Sequence, residues 1–207
     1  MLPLQLITSR HNSHFKRFGA LVVLELLDDS KSPATCTEWR ALRAAGYEPA
    51  TTVEDQSERA TLFECGTLFM LKQAQPAQQS YLRDLVWNAQ LLTHLPPTLG
   101  CFLIDDDQVE QAATKAAAAG QSWSDFDPKA QAESHGPRGV LITQGANACR
   151  TLLDVTAWGD FNQDGLDDVV VLLTHRDPLG SLLMSELVLL TRRSAKGRLE
   201  VIQHWKP

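Results

Sequence analysis

From Gly139 onward the chain carries five apolar runs, Val140–Ile142, Thr151–Trp158, Asp168–Thr174, Met184–Thr191 and Leu199–Trp205. Between them lie Gly145, Gly159, Gly165, Gly180 and Gly197. Runs rich in β-branched and aliphatic residues, bounded by turn residues, read as strands. Consecutive strands with short connections pair as an antiparallel meander. Such a sheet must bury an apolar face against something, and the upstream residues supply helices. The expected fold is therefore α+β, with helices in the first two thirds packed on an antiparallel sheet and a strand-rich C-terminal third. A length of 207 residues fits one domain spanning 1–207, with residues 1–18 as a polar, flexible arm. No internal repeat is present, which argues against a propeller or solenoid.

Upstream, Thr35-Cys36-Thr37-Glu38 is a capping-box pattern that opens a short helix through Trp39, Leu42 and Arg43, ended by Gly46. Thr51–Arg59 is polar and loop-like, and Thr61–Leu71 reads as two short strands or a hairpin, with Gly66 near the bend. Tyr81, Leu82, Leu85, Val86, Ala89 and Leu92 recur at helical spacing, which predicts a helix from Pro76 to His94 stopped by Pro96-Pro97. A second helix is expected over Gln108–Ala119, with Asp105, Asp106 and Asp107 at the positive end of its dipole. A third begins at Pro128 with Asp127 as its cap. Phe18–Leu27, after Lys16 and Arg17, imitates a signal peptide. However, Glu25 interrupts it, Asp28 and Asp29 close it, and no small-x-small cleavage site follows. The run is too short for a membrane span, which needs about 20 apolar residues. A buried β-strand is the expected state.

The net charge of −6 offers no basic field to a phosphate backbone or an anionic bilayer, so neither nucleic acid nor membrane is expected as a partner. Cys36, Cys65, Cys101 and Cys149 form an even set without a C-x-x-C spacing, which removes zinc-ribbon and thioredoxin-like readings. Four cysteines allow three pairings. Proximity in sequence favours Cys36–Cys65 and Cys101–Cys149, the alternative being four reduced, buried thiols. Disulfides would place the protein in the periplasm or outside the cell, where a leader exchanged for an initiating Met is compatible with the start Met1-Leu2-Pro3-Leu4.

One segment carries chemistry. Asp160-Phe161-Asn162-Gln163-Asp164-Gly165-Leu166-Asp167-Asp168 reads D-x-N-x-D-G-x-x-D. Calcium takes about six to eight oxygen ligands, and oxygens at the first, third and fifth loop positions converge on one point. These are Asp160, Asn162 and Asp164, with Gly165 for the sharp turn and the Leu166 carbonyl next. An EF-hand needs a bidentate Glu at its twelfth position, where this chain has Val171 inside a strand. Asp168 is the natural closing carboxylate. This arrangement resembles the strand–loop–strand calcium sites of the FG-GAP repeats of integrin α chains, over Trp158 to Leu172. Those propellers carry several repeats and this chain has one, so the resemblance implies the loop's ligand roles for a structural calcium ion and nothing about propeller function. The alternative is an acidic turn whose Asx side chains satisfy the backbone without metal.

Other patterns lead less far. His11 and His14 beside Arg10, Lys16 and Arg17 read as a solvated arm rather than a metal pair. His175 follows the calcium-type strand and could approach its loop, but a lone His at a strand end reads as a surface residue, and Ser134-His135 has no placed acid partner. The five tryptophans read as core, with Trp123, in a polar loop near Phe126, the one to consider as a binding anchor. No catalytic or cofactor motif is present. The expected function is an exported, calcium-binding, disulfide-stabilised domain that binds another protein or an envelope component. The rival is a hydrolase of an envelope polymer using paired carboxylates such as Glu64, Asp105 or Asp125. A cytosolic protein with reduced thiols and a metal-free turn is the third reading.

Overall fold

The C-terminal half organises everything else. In the computed structural model, which describes residues 5–6, 24–26, 29–102, 107–145, 148–178 and 183–205, the strands are β1 (Gln5–Leu6), β2 (Leu24–Leu26), β3 (Asp29–Lys31), β4 (Glu48–Pro49), β5 (Gln131–His135), β6 (Gly139–Thr143), β7 (Arg150–Gly159), β8 (Asp168–Arg176), β9 (Leu183–Arg192) and β10 (Leu199–Trp205). Strands β5 to β10 form an antiparallel meander in sequence order. Strand β1 joins it against β7 at Ala157 and Trp158, beyond the stretch that β6 occupies. Strands β2, β3 and β4 form a separate small sheet. The α+β class and the strand-rich C-terminal third are as expected, with β5 an addition that no apolar pattern announced.

Both faces of the meander are covered. One carries Leu153, Val155, Val169, Val171, Leu173, Val188 and Leu190 against Leu82, Leu91, Leu95, Leu99 and Trp123. The other carries Ala157, Val170, Leu187 and Leu189 against Met70 and Phe161. Burial on two faces explains why β8 is continuously apolar instead of alternating. A bulge after Val155 switches the alternation of β7, so that Ala157 faces the second cluster.

Helix α1 (Cys36–Ala44) is capped by Thr35, whose hydroxyl accepts the Glu38 N–H. Helix α2 (Thr52–Gln73) replaces both the loop expected at 51–59 and the hairpin expected at 61–71. Gly66 is there for close packing rather than for a bend. A Cβ at Gly66 would lie 2.8 Å from Leu187 Cδ2 of β9. The Cys36–Cys65 disulfide joins α1 to α2, and Cys101–Cys149 ties residue 101 to the start of β7. Both pairings are the expected ones, and no described cysteine is free. The first staples helix to helix rather than helix to sheet.

The helix expected over 76–94 does not form. Only 3₁₀ turns occur, at Ala89–Thr93 and Pro97–Leu99. Leu82, Leu85 and Leu92 still enter the core, while Val86 stays exposed. The backbone N–H groups of Gln75, Gln78 and Gln79 are committed instead to carbonyls of the β7–β8 loop, so this stretch is held extended. Helix α3 (Asp107–Ala118) forms close to the predicted bounds. Asp105 and Asp106 lie outside the described residues. The helix expected from Pro128 is replaced by α4 (Trp123–Phe126), capped by Ser122 and Asp125, with Asp127 at its C-terminal end. Trp123 is a fully buried core residue, not a surface anchor. Within the expected strand at 18–27, Leu24–Leu26 is strand, but Leu26 is exposed, not buried, and residues 18–23 and 27 lie outside the described residues. His11 and His14 lie outside them too. Among the described residues no helix is long and apolar enough to cross a membrane.

Candidate metal centre

The β7–β8 connection is built by short-range polar bonds. Asp164 N–H donates to Asp160 Oδ1 (3.1 Å) and to Asn162 Oδ1 (2.9 Å). Gly165 N–H donates to Asp160 Oδ2 and Leu166 N–H to Asp164 Oδ1, both at 2.9 Å. Gly165 adopts φ +85°, which a side chain would resist, and Gln163 adopts φ +64°. Asp168, the first residue of β8, reaches back so that Phe161 N–H donates to its Oδ2 at 3.1 Å. Asp160, Asn162, Asp164, Leu166 and Asp168 thus share one closed loop. The bonds are those an Asx-rich turn makes, with the carboxylates turned to backbone N–H groups. Among the described residues no group of three or more His, Cys, Asp or Glu side chains is arranged to hold a metal ion.

A turn alone does not explain how the acids are buried. Asp160, Asp167 and Asp168 are 4%, 7% and 0% exposed. Asp168 Oδ1 is buried without a hydrogen-bond partner. The Thr191 hydroxyl, opposite it in the β8–β9 register, is likewise buried and outside hydrogen-bond geometry. Burial pushes the Asp168 carboxyl up to about 6; the nearby Thr191 hydroxyl, short of a regular hydrogen bond, and then the Phe161 N–H oppose the shift, and the Asp164 charge adds to it. Asp167 is also raised, by burial first, while the Ser80 hydroxyl donates to it at 2.9 Å and Arg83 favours its charge. Arg193 reaches Asp164 at 3.5 Å but is shared with Glu200. Among the described residues, the buried carboxylates here outnumber the cations that touch them.

The loop also anchors its neighbour. Gly165 O accepts the Gln78 and Gln79 N–H groups, Gln79 O accepts the Asp167 N–H, and Gln75 exchanges both backbone bonds with Asp160. Ser80, Asp167, Thr191 and the 75–79 segment belong to this centre, and the motif reading did not include them. Asp167 occupies an unassigned motif position, and no local pattern marks Ser80, which lies 87 residues away. His175 does not approach the loop. It sits at the other end of β8, about 20 Å away at strand rise, and it is buried rather than on the surface. Glu64 lies on α2 over one sheet face, and Asp125 caps α4 over the other. Asp105 lies outside the described residues. Ser122 holds the Asp125 carboxyl below its usual range, the wrong direction for a general acid. No protein-family model, curated protein or solved structure matches this chain.

Proposed function

We propose that this chain is an exported, disulfide-stapled domain that binds one structural calcium ion in the β7–β8 loop and serves as a binding module for another protein or an envelope component. The observation that carries the metal reading is the buried, unpartnered Oδ1 of Asp168, at the closing position of the D-x-N-x-D-G-x-x-D loop. Asp160, Asn162, Asp164 and Asp168 would supply side-chain oxygens and Leu166 its carbonyl, all hard oxygen ligands of the kind calcium prefers. Binding requires the side chains to turn from N–H groups toward the ion. The loop joins two long core strands and pins residues 75–80, so an ion there would stiffen both and lower the ordering cost of binding at the adjoining surface. Two disulfides support an oxidising compartment.

Calorimetric titration with calcium, with magnesium as control, and melts in calcium or chelator test the metal reading. Calcium should bind and raise the melting temperature by mass action, and Asp160→Ala should remove both effects. A melt blind to millimolar calcium would leave the loop a plain acidic turn. The module reading is tested by capture from envelope extracts, where Asp164→Ala should weaken recovery of a defined partner while the oxidised fold persists. Turnover of peptidoglycan, lipid or peptide that depends on one acidic residue would overturn it.

A further inference from the structure

The meander face that bears the main core is aliphatic along Val169, Val171, Leu173, Val188 and Leu190, yet it turns polar at the end remote from the calcium-type loop. The strand registers place His175 opposite Met184 and His204 opposite Val188, so His175, Met184, Glu186 and His204 all point to that same face. Glu186 and His204 are paired, and the Glu186 side chain is only 12% exposed. The Thr151 hydroxyl holds His175 Nδ1 at 2.9 Å and fixes the ring. A carboxylate in a core-facing register is costly to keep unless it serves a polar purpose.

These residues form one wall of a cleft of about 480 Å³, a size typical of small-molecule sites. Phe102, Glu110 and Thr114 line the opposite wall. The Cys101–Cys149 disulfide ties the residue before Phe102 to the start of β7. Among the described residues that line it, Glu110 and Glu186 are the acids, Glu186 is paired with His204, and there is no Lys or Arg. An anion would meet two carboxylates. We propose that the cleft binds an organic cation, a primary amine or guanidinium carried on an aliphatic stem. The charged head would sit between Glu110 and Glu186, where charge-assisted hydrogen bonds are strongest, and the stem would lie along Phe102 and Met184. The shared chemistry covers a free amine and a lysine or arginine side chain of a peptide.

Calorimetric titration of the full oxidised chain with cadaverine and agmatine tests this, with phosphate, glucose and zinc as competitors. Both amines should bind. Glu186→Gln should weaken them by about tenfold or more. Thr114→Arg, exposed on α3, should plug the cleft with an internal guanidinium and abolish binding at an unchanged melting temperature, which keeps the test valid if Glu186→Gln fails to fold. Tighter binding of a lysine-containing tripeptide than of cadaverine assigns the cation to a peptide, and the reverse assigns it to a free amine; either supports the cleft. No amine binding at millimolar concentration, binding indifferent to both variants, or tighter binding of phosphate, glucose or zinc would overturn the proposal.

Discussion

Replacing Asp168 by Asn should stabilise the metal-free protein while destroying its response to calcium. The carboxyl is fully buried and its pKa stands at about 6 against an ordinary 3.8. At pH 7 the ion-free fold therefore holds an ionised group at a cost of about 3 kcal/mol. Asparagine preserves the size and the oxygen that accepts the Phe161 N–H. It also places an N–H donor on the side of the unpartnered Thr191 hydroxyl. In chelator at pH 7, Asp168→Asn should gain about 1–3 kcal/mol in urea unfolding, the lower figure allowing for an imperfectly placed amide. Saturating calcium at 100 times its Kd should lift the wild type by about 2.7 kcal/mol and the variant by nothing. The order of stability then narrows or inverts between the two buffers. The pH dependence has a definite sign. Because the folded pKa lies above the unfolded one, the stability this group contributes in chelator is full below 3.8 and is lost as pH rises through about 6. The variant should lack that decline. A variant less stable than wild type in chelator at pH 7, or one that still responds to calcium, would refute the reasoning.

Opening Cys101–Cys149 by a double Ser substitution removes a closed loop of separation 48 and should cost about 4 kcal/mol in the chain-entropy picture, read as a fall in the urea midpoint. Trp123→Ala empties a fully buried site in the main cluster and should cost about 3–5 kcal/mol by the same measurement. Burial, and then the Arg192 and Arg198 charges, hold the His94 imidazole below its usual 6.5. The stability it contributes is therefore full above 6.5 and falls as pH drops below that value, and His94→Asn should flatten that part of a melting profile recorded from pH 5 to 8.

Several features needed only local information. The five C-terminal strands are written in their apolar runs and turn glycines, since residues buried on a sheet must be apolar wherever the chain is extended. The Thr35 cap and α3 follow from side chains that act within one turn. The two disulfides join the first cysteine to the second and the third to the fourth, over separations of 29 and 48 residues. The loop motif grouped Asp160, Asn162, Asp164 and Asp168 because its bonds span few residues. Tertiary packing decided the rest. Residues 75–79 are extended because the β7–β8 loop takes their N–H groups, a long-range competition that outweighs the helical spacing of Leu82, Leu85 and Leu92. Residues 61–71 belong to α2, which Gly66 lets lie close on Leu187 of the sheet, a contact no local pattern announces. The burial of Asp167 and Asp168, and the meeting of Glu186 with His204, depend on strands laid side by side. Desolvation and cross-strand contact arise only when distant segments pack, and the order of residues along the chain does not encode them locally.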